Sequence, residues 1–243
     1  MSVKEHYDKH LGDFYSWMIG DFDEKQKEYQ QFLSANQITP QQNKQAIDLG
    51  AGHGIQSISL AKMGFKVLAI DFNVQLLNQL IENSKELEIE IVEDDLTYLT
   101  KHISEQQELI VCAGDTLTHL NNKADIEKLL CNCCASLLNN GKLILSFRDY
   151  SKELVGNDRF IPVRSDANKI LTCFLEYGKN YIQVTDILQT NENGIWKQKI
   201  SSYLKVRVTL NDVLNYLELN KMKIILNNLE RGMFTIIAEK ISD

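Results

Sequence analysis

The chain has 243 residues, of which 44% are hydrophobic and 24% charged, a balance that excludes wholesale disorder and leaves room for one sizeable core with an appendage. The formal net charge of −7 argues against a nucleic-acid partner, whose phosphates demand a basic surface, and points to a small-molecule substrate. No apolar run approaches the roughly 18 residues of a membrane span, and the opening MSVKEHYDKHLGDFYSWM is too polar for a signal peptide, so a cytoplasmic protein without membrane attachment is expected.

The first 43 residues read as a cap of polar, aromatic-bearing helices ending near Pro40. From residue 44 to residue 150 short apolar runs alternate with helical periodicity. KQAIDL is a strand and IQSISLAKM a helix with Ile55 and Ile58 inward. FKVLAI is a second strand, followed by Asn73 as a cap and the helix VQLLNQLIENSKEL, in which Leu76, Leu77, Leu80 and Ile81 form one stripe. IEIVE, ELIVCA and GKLILSF are the third, fourth and fifth strands, the last reached through a helix at 123–138. Such alternation predicts right-handed crossovers and a parallel sheet covered on both faces.

The rhythm then changes. Within 151–208, the segments KILTCFLEY, YIQVTDILQT and IWKQKISSYLKVRV follow one another without helices, and Asn193-Gly194 marks a turn, so an antiparallel β insertion is expected. Residues 209–243 supply a last helix, LNDVLNYLELN, and two strands, MKIILNNLE and FTIIAEK, that finish the main sheet. The fold class is therefore α/β, with a doubly wound, seven-stranded, mostly parallel sheet, an N-terminal helical cap and an antiparallel lid. The five cysteines fit reduced thiols. Cys131, Cys133 and Cys134 lie inside a helical run without a second ligand pair at finger spacing, so no metal site is expected.

The loop after the first strand reads Asp48-x-Gly50-x-Gly52-x-Gly54. Ile55 stands where the dinucleotide fingerprint G-x-G-x-x-G needs its third glycine, which discounts a dehydrogenase, and no G-K-[ST] follows. An acid ahead of the glycines would repel a pyrophosphate and attract an ammonium group. Asp71, about 20 residues further on at the end of the second strand, suits an acid that accepts both hydroxyls of a ribose. Phe72 offers a face to an adenine, and Asp94, Asp95 and Leu96 after the third strand can meet the other edge of that base. A nucleoside with an amino-acid tail is S-adenosylmethionine.

On these motifs, residues 44–150 resemble the class I, Rossmann-like S-adenosylmethionine-dependent methyltransferases. The resemblance implies that Asp48, Gly50, Ala51, Gly52 and Gly54 meet the methionyl part of the cofactor, Asp71 the ribose, and Phe72, Asp94, Asp95 and Leu96 the adenine, with Ala113 and Gly114 as further contacts. It also implies S-adenosylhomocysteine as the product. Two more stretches are similar to a narrower group, the glycine N-methyltransferases. Residues 113–120, AGDTLTHL, resemble their G-N-S-F-x-H-L, and FRDY at 147–150 resembles their H-R-N-Y, whose arginine holds the acceptor's carboxylate. The departure is Asp115, where that group has asparagine. Arg148 then takes a carboxylate, Asp115 receives an ammonium or pairs with Arg148, and Asp115, His119 or His10 serves as a base. Tyr7, Tyr15 and Trp17 of the cap can surround the sulfonium with aromatic faces. Phe174, Tyr177, Tyr181, Trp196 and Tyr203 are candidates for a substrate wall. The expected activity is methyl transfer to the nitrogen of a small amine or amino acid. An O-methyltransferase acting on a carboxylate- or hydroxyl-bearing acceptor and a non-catalytic cofactor-binding protein are the alternatives.

Overall fold

The structure, a computed structural model, describes residues 1–85 and 87–242. Helices α1 (Val3–Lys9), α2 (Tyr15–Ile19) and α3 (Phe22–Ala35) lead into β1 (Gln45–Leu49), α4 (Ile55–Lys62), β2 (Lys66–Asp71), α5 (Val74–Ser84), β3 (Ile89–Glu93), β4 (Gln107–Cys112), α6 (Lys123–Ser136) and β5 (Leu137–Arg148). Then come β6 (Phe160–Ser165), β7 (Lys169–Tyr177), β8 (Tyr181–Glu192), β9 (Ile195–Val206), α7 (Leu210–Leu219), β10 (Met222–Glu230) and β11 (Met233–Lys240). Side chains fix where several helices start: Ser2 caps α1 in a reciprocal box with Glu5, Asn73 caps α5, Asn122 caps α6 and Thr209 caps α7.

The main sheet has seven strands in the order β10-β11-β5-β4-β1-β2-β3. Strands β1 to β5 pair in parallel, and β11 lies between β5 and β10, antiparallel to both. A parallel sheet must be buried on both faces, and the strand residues alternate accordingly. Ile47, Leu49, Ile70, Ile110, Leu143, Leu145 and Phe147 pack with α6 and α7 on one side, whereas Ala46, Val67, Leu109, Val111 and Ile144 pack with α3 and α4 on the other. Cys112, Cys133 and Cys134 are buried in the first of these cores, and Cys131 is exposed. Helix α3 serves the core as well as the cap: Tyr29, Phe32 and Leu33 seal the second core, and Lys25, Glu28, Tyr29 and Phe32 border the cavity at the carboxyl ends of β1 and β4.

The insertion forms its own antiparallel sheet, in the order β6-β7-β8-β9. It has one strand more than the sequence pattern predicts. Strand β6 carries Pro162 and is almost wholly exposed, so it lacks the alternation that identifies a strand, and it sits at the sheet edge where a proline is tolerated. The inner face of this sheet is built from cross-strand rows, Ile161/Cys173/Asp186/Ser201, Leu175/Val184/Tyr203 and Tyr177/Ile182/Lys205.

Candidate active site

The strand order reverses between β1 and β4, and the loops that leave their carboxyl ends open into a cavity of about 1570 Å³ roofed by the cap and the antiparallel sheet. Of the residues singled out in the sequence, Gly50, Ala51, Gly52, Asp71, Phe72, Asp94, Asp95, Leu96, Ala113, Gly114, Asp115, His119, Arg148 and Tyr15 line it, as do Tyr7, Tyr177, Tyr181 and Tyr203.

Asp48 and Gly54 do not. The Asp48 carboxylate is buried behind the loop, where it accepts the Ser57 hydroxyl of α4 at 2.5 Å. It thus places the protein's own acceptor at the helix N-terminus, where a phosphate would otherwise be welcome. Burial pushes its pKa up to about 7, against the opposing Ser57 hydrogen bond. Gly54 answers to packing: its φ is +100°, and a β-carbon there would lie 2.8 Å from Leu80 Cγ of α5. The loop's amides are consumed internally. Gly50 and Ala51 donate to the Ile70 carbonyl at 2.8 and 3.1 Å, Gly54 to the Ala51 carbonyl at 3.0 Å, and Gly52 to Asp71 Oδ2 at 2.8 Å. These four amides are therefore not available to a pyrophosphate. What disfavours a phosphate here is the use of these amides, and not a carboxylate aimed at the ligand as the sequence suggested.

The Asp71 carboxylate faces the cavity with its orientation fixed, Oδ1 accepting the Asn73 N–H and Oδ2 the Gly52 N–H, each at 2.8 Å. Burial raises its pKa while those two amides pull the other way. Asp94 is committed to His102 at 2.7 Å, whereas Asp95 caps the following turn through Oδ1 alone. Tyr15 hangs over the glycine loop, so that a β-carbon on Gly52 would lie 3.7 Å from its hydroxyl. Tyr7 packs edge-on against Phe72 and His119, with centroids 5.6 and 5.7 Å away. Trp17 is a correction: its Nε1 donates to Asp166 at 2.5 Å and its ring lies near Arg164 and Lys169, so it fastens α2 to the lid sheet outside the cavity. Phe174 likewise packs outward on Phe160, and Trp196 is exposed.

On the acceptor side, Asp115 does not pair with the Arg148 side chain. Its Oδ1 takes the Arg148 backbone N–H at 2.8 Å, and its Oδ2 takes Lys205 Nζ at 2.5 Å and the Tyr150 hydroxyl at 3.3 Å. The ion pair is buried, with side-chain exposures of 9% and 4%. Burial alone would raise Asp115 and lower Lys205, but each holds the other charged, Asp115 below and Lys205 well above its ordinary value. The exposed Arg148 guanidinium is left without a hydrogen-bond or ion-pair partner among the described residues. Burial, then Lys205, depresses His119 to about 3, and its Nε2 has no partner. His10 is buried against His6 and Phe14, away from the cavity. None of the three expected bases is therefore fitted to take a proton from an ammonium at neutral pH. Lys205 and His6 were missed in the sequence. His6, fully buried, bridges α1 to the lid sheet through Ser201 at 2.8 Å and Asp186 at 3.0 Å, and stacks on Tyr203 at 4.1 Å. Strand alternation offered a signal for Lys205, two residues beyond Tyr203 on the same face.

Residues 46–141 match the family model of the methyltransferase domain. Over that span the core is similar to a methyltransferase domain. A glycine/sarcosine N-methyltransferase of Aphanothece halophytica is 34% identical over 109 residues, 44% of this chain and 41% of that protein, so the chain matches less than half the length of this curated relative. Among solved structures, the methyltransferase CcbJ from Streptomyces caelestis superposes with a TM-score of 0.77 at 13% identity, covering 97% of this chain and 98% of that one. A SAM-bound amino pentose methyltransferase from Micromonospora echinaspora superposes with a TM-score of 0.71 at 12% identity, covering 99% and 98%. The likeness to these methyltransferases extends over cap, core and lid as a fold.

Two outcomes follow from the buried charges of this core. Replacing Asp48→Asn keeps an acceptor for Ser57 and removes the charge. Because folding raises the Asp48 pKa from 3.8 to about 7, the wild type binds that proton more tightly when folded, and its stability relative to the variant falls as pH rises across this window. Melting temperatures of both proteins across pH check this, and a difference that stays constant with pH refutes it. Lys205→Met strands a buried carboxylate and is expected to cost about 3–5 kcal/mol in denaturant unfolding. The double variant Asp115→Asn with Lys205→Met should cost less than the single one.

Proposed function

We propose that the protein transfers a methyl group from S-adenosylmethionine to the nitrogen of a small, carboxylate-bearing amine. The observation that carries this reading is the unpaired Arg148 guanidinium on the same cavity as the oriented Asp71 carboxylate. The named activity of the Aphanothece halophytica relative supports the acceptor class. Gly52, with a φ of +53°, leaves a cradle beneath Tyr15 for the methionyl tail, while Gly50, with a φ of +73°, lets the Thr116 side chain approach closer than a β-carbon would allow. Asp71 retains acceptor capacity on both oxygens for a pair of ribose hydroxyls, and Phe72, Asp95 and Leu96 flank the place for the base. When bound, the cofactor supplies an electrophilic methyl on a sulfonium, and the faces of Tyr7 and Tyr15 favour that cation.

The chain's own part is to bind, orient and keep water out. Holding an acceptor by its carboxylate on Arg148 fixes its nitrogen relative to the donor, and such positioning supplies up to roughly 7–11 kcal/mol of the barrier. With Asp115 charge-compensated by Lys205 and His119 held neutral, the amine binds already deprotonated, and the proton shed after transfer leaves to solvent.

Calorimetry with S-adenosylhomocysteine tests the nucleoside assignment. Asp71→Ala removes hydrogen bonds to a charged group worth about 1.5–3 kcal/mol, so affinity should fall at least about tenfold, and unchanged affinity rules the ribose assignment out. With labelled cofactor and an amine acceptor, kcat/KM is expected to rise with pH along the acceptor's own titration. A profile that instead follows an enzyme group near neutrality would falsify the absence of a protein base.

A further inference from the structure

We propose that the acceptor is larger than glycine, an amine-bearing acid whose apolar body lies on the inner face of the lid sheet while its carboxylate meets Arg148; this rests on the role of Arg148 argued above. The cavity, at about 1570 Å³, exceeds the roughly 300–1000 Å³ that suits one small ligand, so a nucleoside donor leaves space for more than a two-carbon acid. The part of the wall that the lid sheet supplies is largely apolar. Leu175 and Val184 face each other across β7 and β8, Ile161 and Tyr177 extend that surface on either side, and Leu154 completes it from the connection after β5.

The polar groups on this face are already satisfied. Asp186 accepts from His6 and from the Cys173 thiol, Ser201 bonds His6, and Lys205 is held by Asp115. What the sheet presents to a ligand is thus hydrocarbon and aromatic ring, without a free charge among these residues. Arg148 is placed to work with it, since it lines the same cavity as Tyr150 and Cys173, which border the patch. An acid without a body would leave this surface facing water, whereas an apolar body would displace that water.

Thermal unfolding of the protein saturated with S-adenosylhomocysteine, titrated with acetate or with hydrocinnamate, separates handle from body, because a ligand that binds only the folded state raises the midpoint with concentration. Hydrocinnamate is expected to bind at least about tenfold more tightly than acetate, consistent with burying several methylene equivalents. Arg148→Met should abolish the response to both, and Ile161→Glu should erase the advantage of hydrocinnamate, with S-adenosylhomocysteine calorimetry as the check that each variant is folded. Equal affinity for the two acids overturns the inference and leaves the role of Arg148 intact. An advantage that survives Ile161→Glu places the body elsewhere and also overturns it. Binding of neither acid removes Arg148 as a carboxylate site and the inference with it.

Discussion

The buried ion pair of Asp115 and Lys205 joins the two halves of the site. Asp115 sits on the loop after β4, Lys205 on the last strand of the lid, and through the second carboxylate oxygen the pair also fixes the backbone of Arg148. Taking either charge out of water is expensive unless the other is present, so lid and core cannot be assembled independently without a penalty. The pair also sets the electrostatics of the cavity. With Asp115 neutralised by the lid, the arginine beside it keeps its charge for something from outside.

The same economy operates on the donor side. A helix N-terminus and a run of glycines make a ready anion site, and here both are spent before a ligand arrives. Asp48 occupies the helix end, and the loop's amides close on Ile70, Ala51 and Asp71. The Gly52 amide is the informative one, because it turns a strand-end carboxylate into an oriented acceptor. A site that offers oriented acceptors instead of free donors selects for hydroxyls and cations over phosphates.

Much of this was legible in the sequence. Continuous apolar runs in KVLAID and LILSF identify strands buried on both faces, the Leu76, Leu77 and Leu80 stripe identifies α5 although Ile81 beside it is exposed, and the switch-point rule then brings Gly52, Asp71, Asp95, Asp115 and Arg148 to one end of the sheet. Direction was not legible. Asp48 and Gly54 belong to the glycine motif by spacing yet turn toward Ser57 and Leu80, since a loop's residues serve the helix behind it as well as the ligand before it. Strand β6 was hidden because an exposed edge strand has no face to bury. Strand alternation put Lys205 on the face of Tyr203, but its pairing with Asp115, like that of His6 with Asp186, joins residues 90 and 180 positions apart, which no local pattern encodes.

His6 carries a mechanical consequence. The first helix is bolted to the lid by an imidazole wholly shut off from water, gripped between a carboxylate and a hydroxyl on neighbouring strands. On its other flank, Lys4 reaches the Phe72 carbonyl at 2.8 Å on the nucleoside side. The first few residues of the chain therefore act as a tie-bar across the mouth, with one end over the donor and the other in the acceptor's roof. A change of sequence there reaches both halves of the pocket at once, through the tie as well as through the residues that line it.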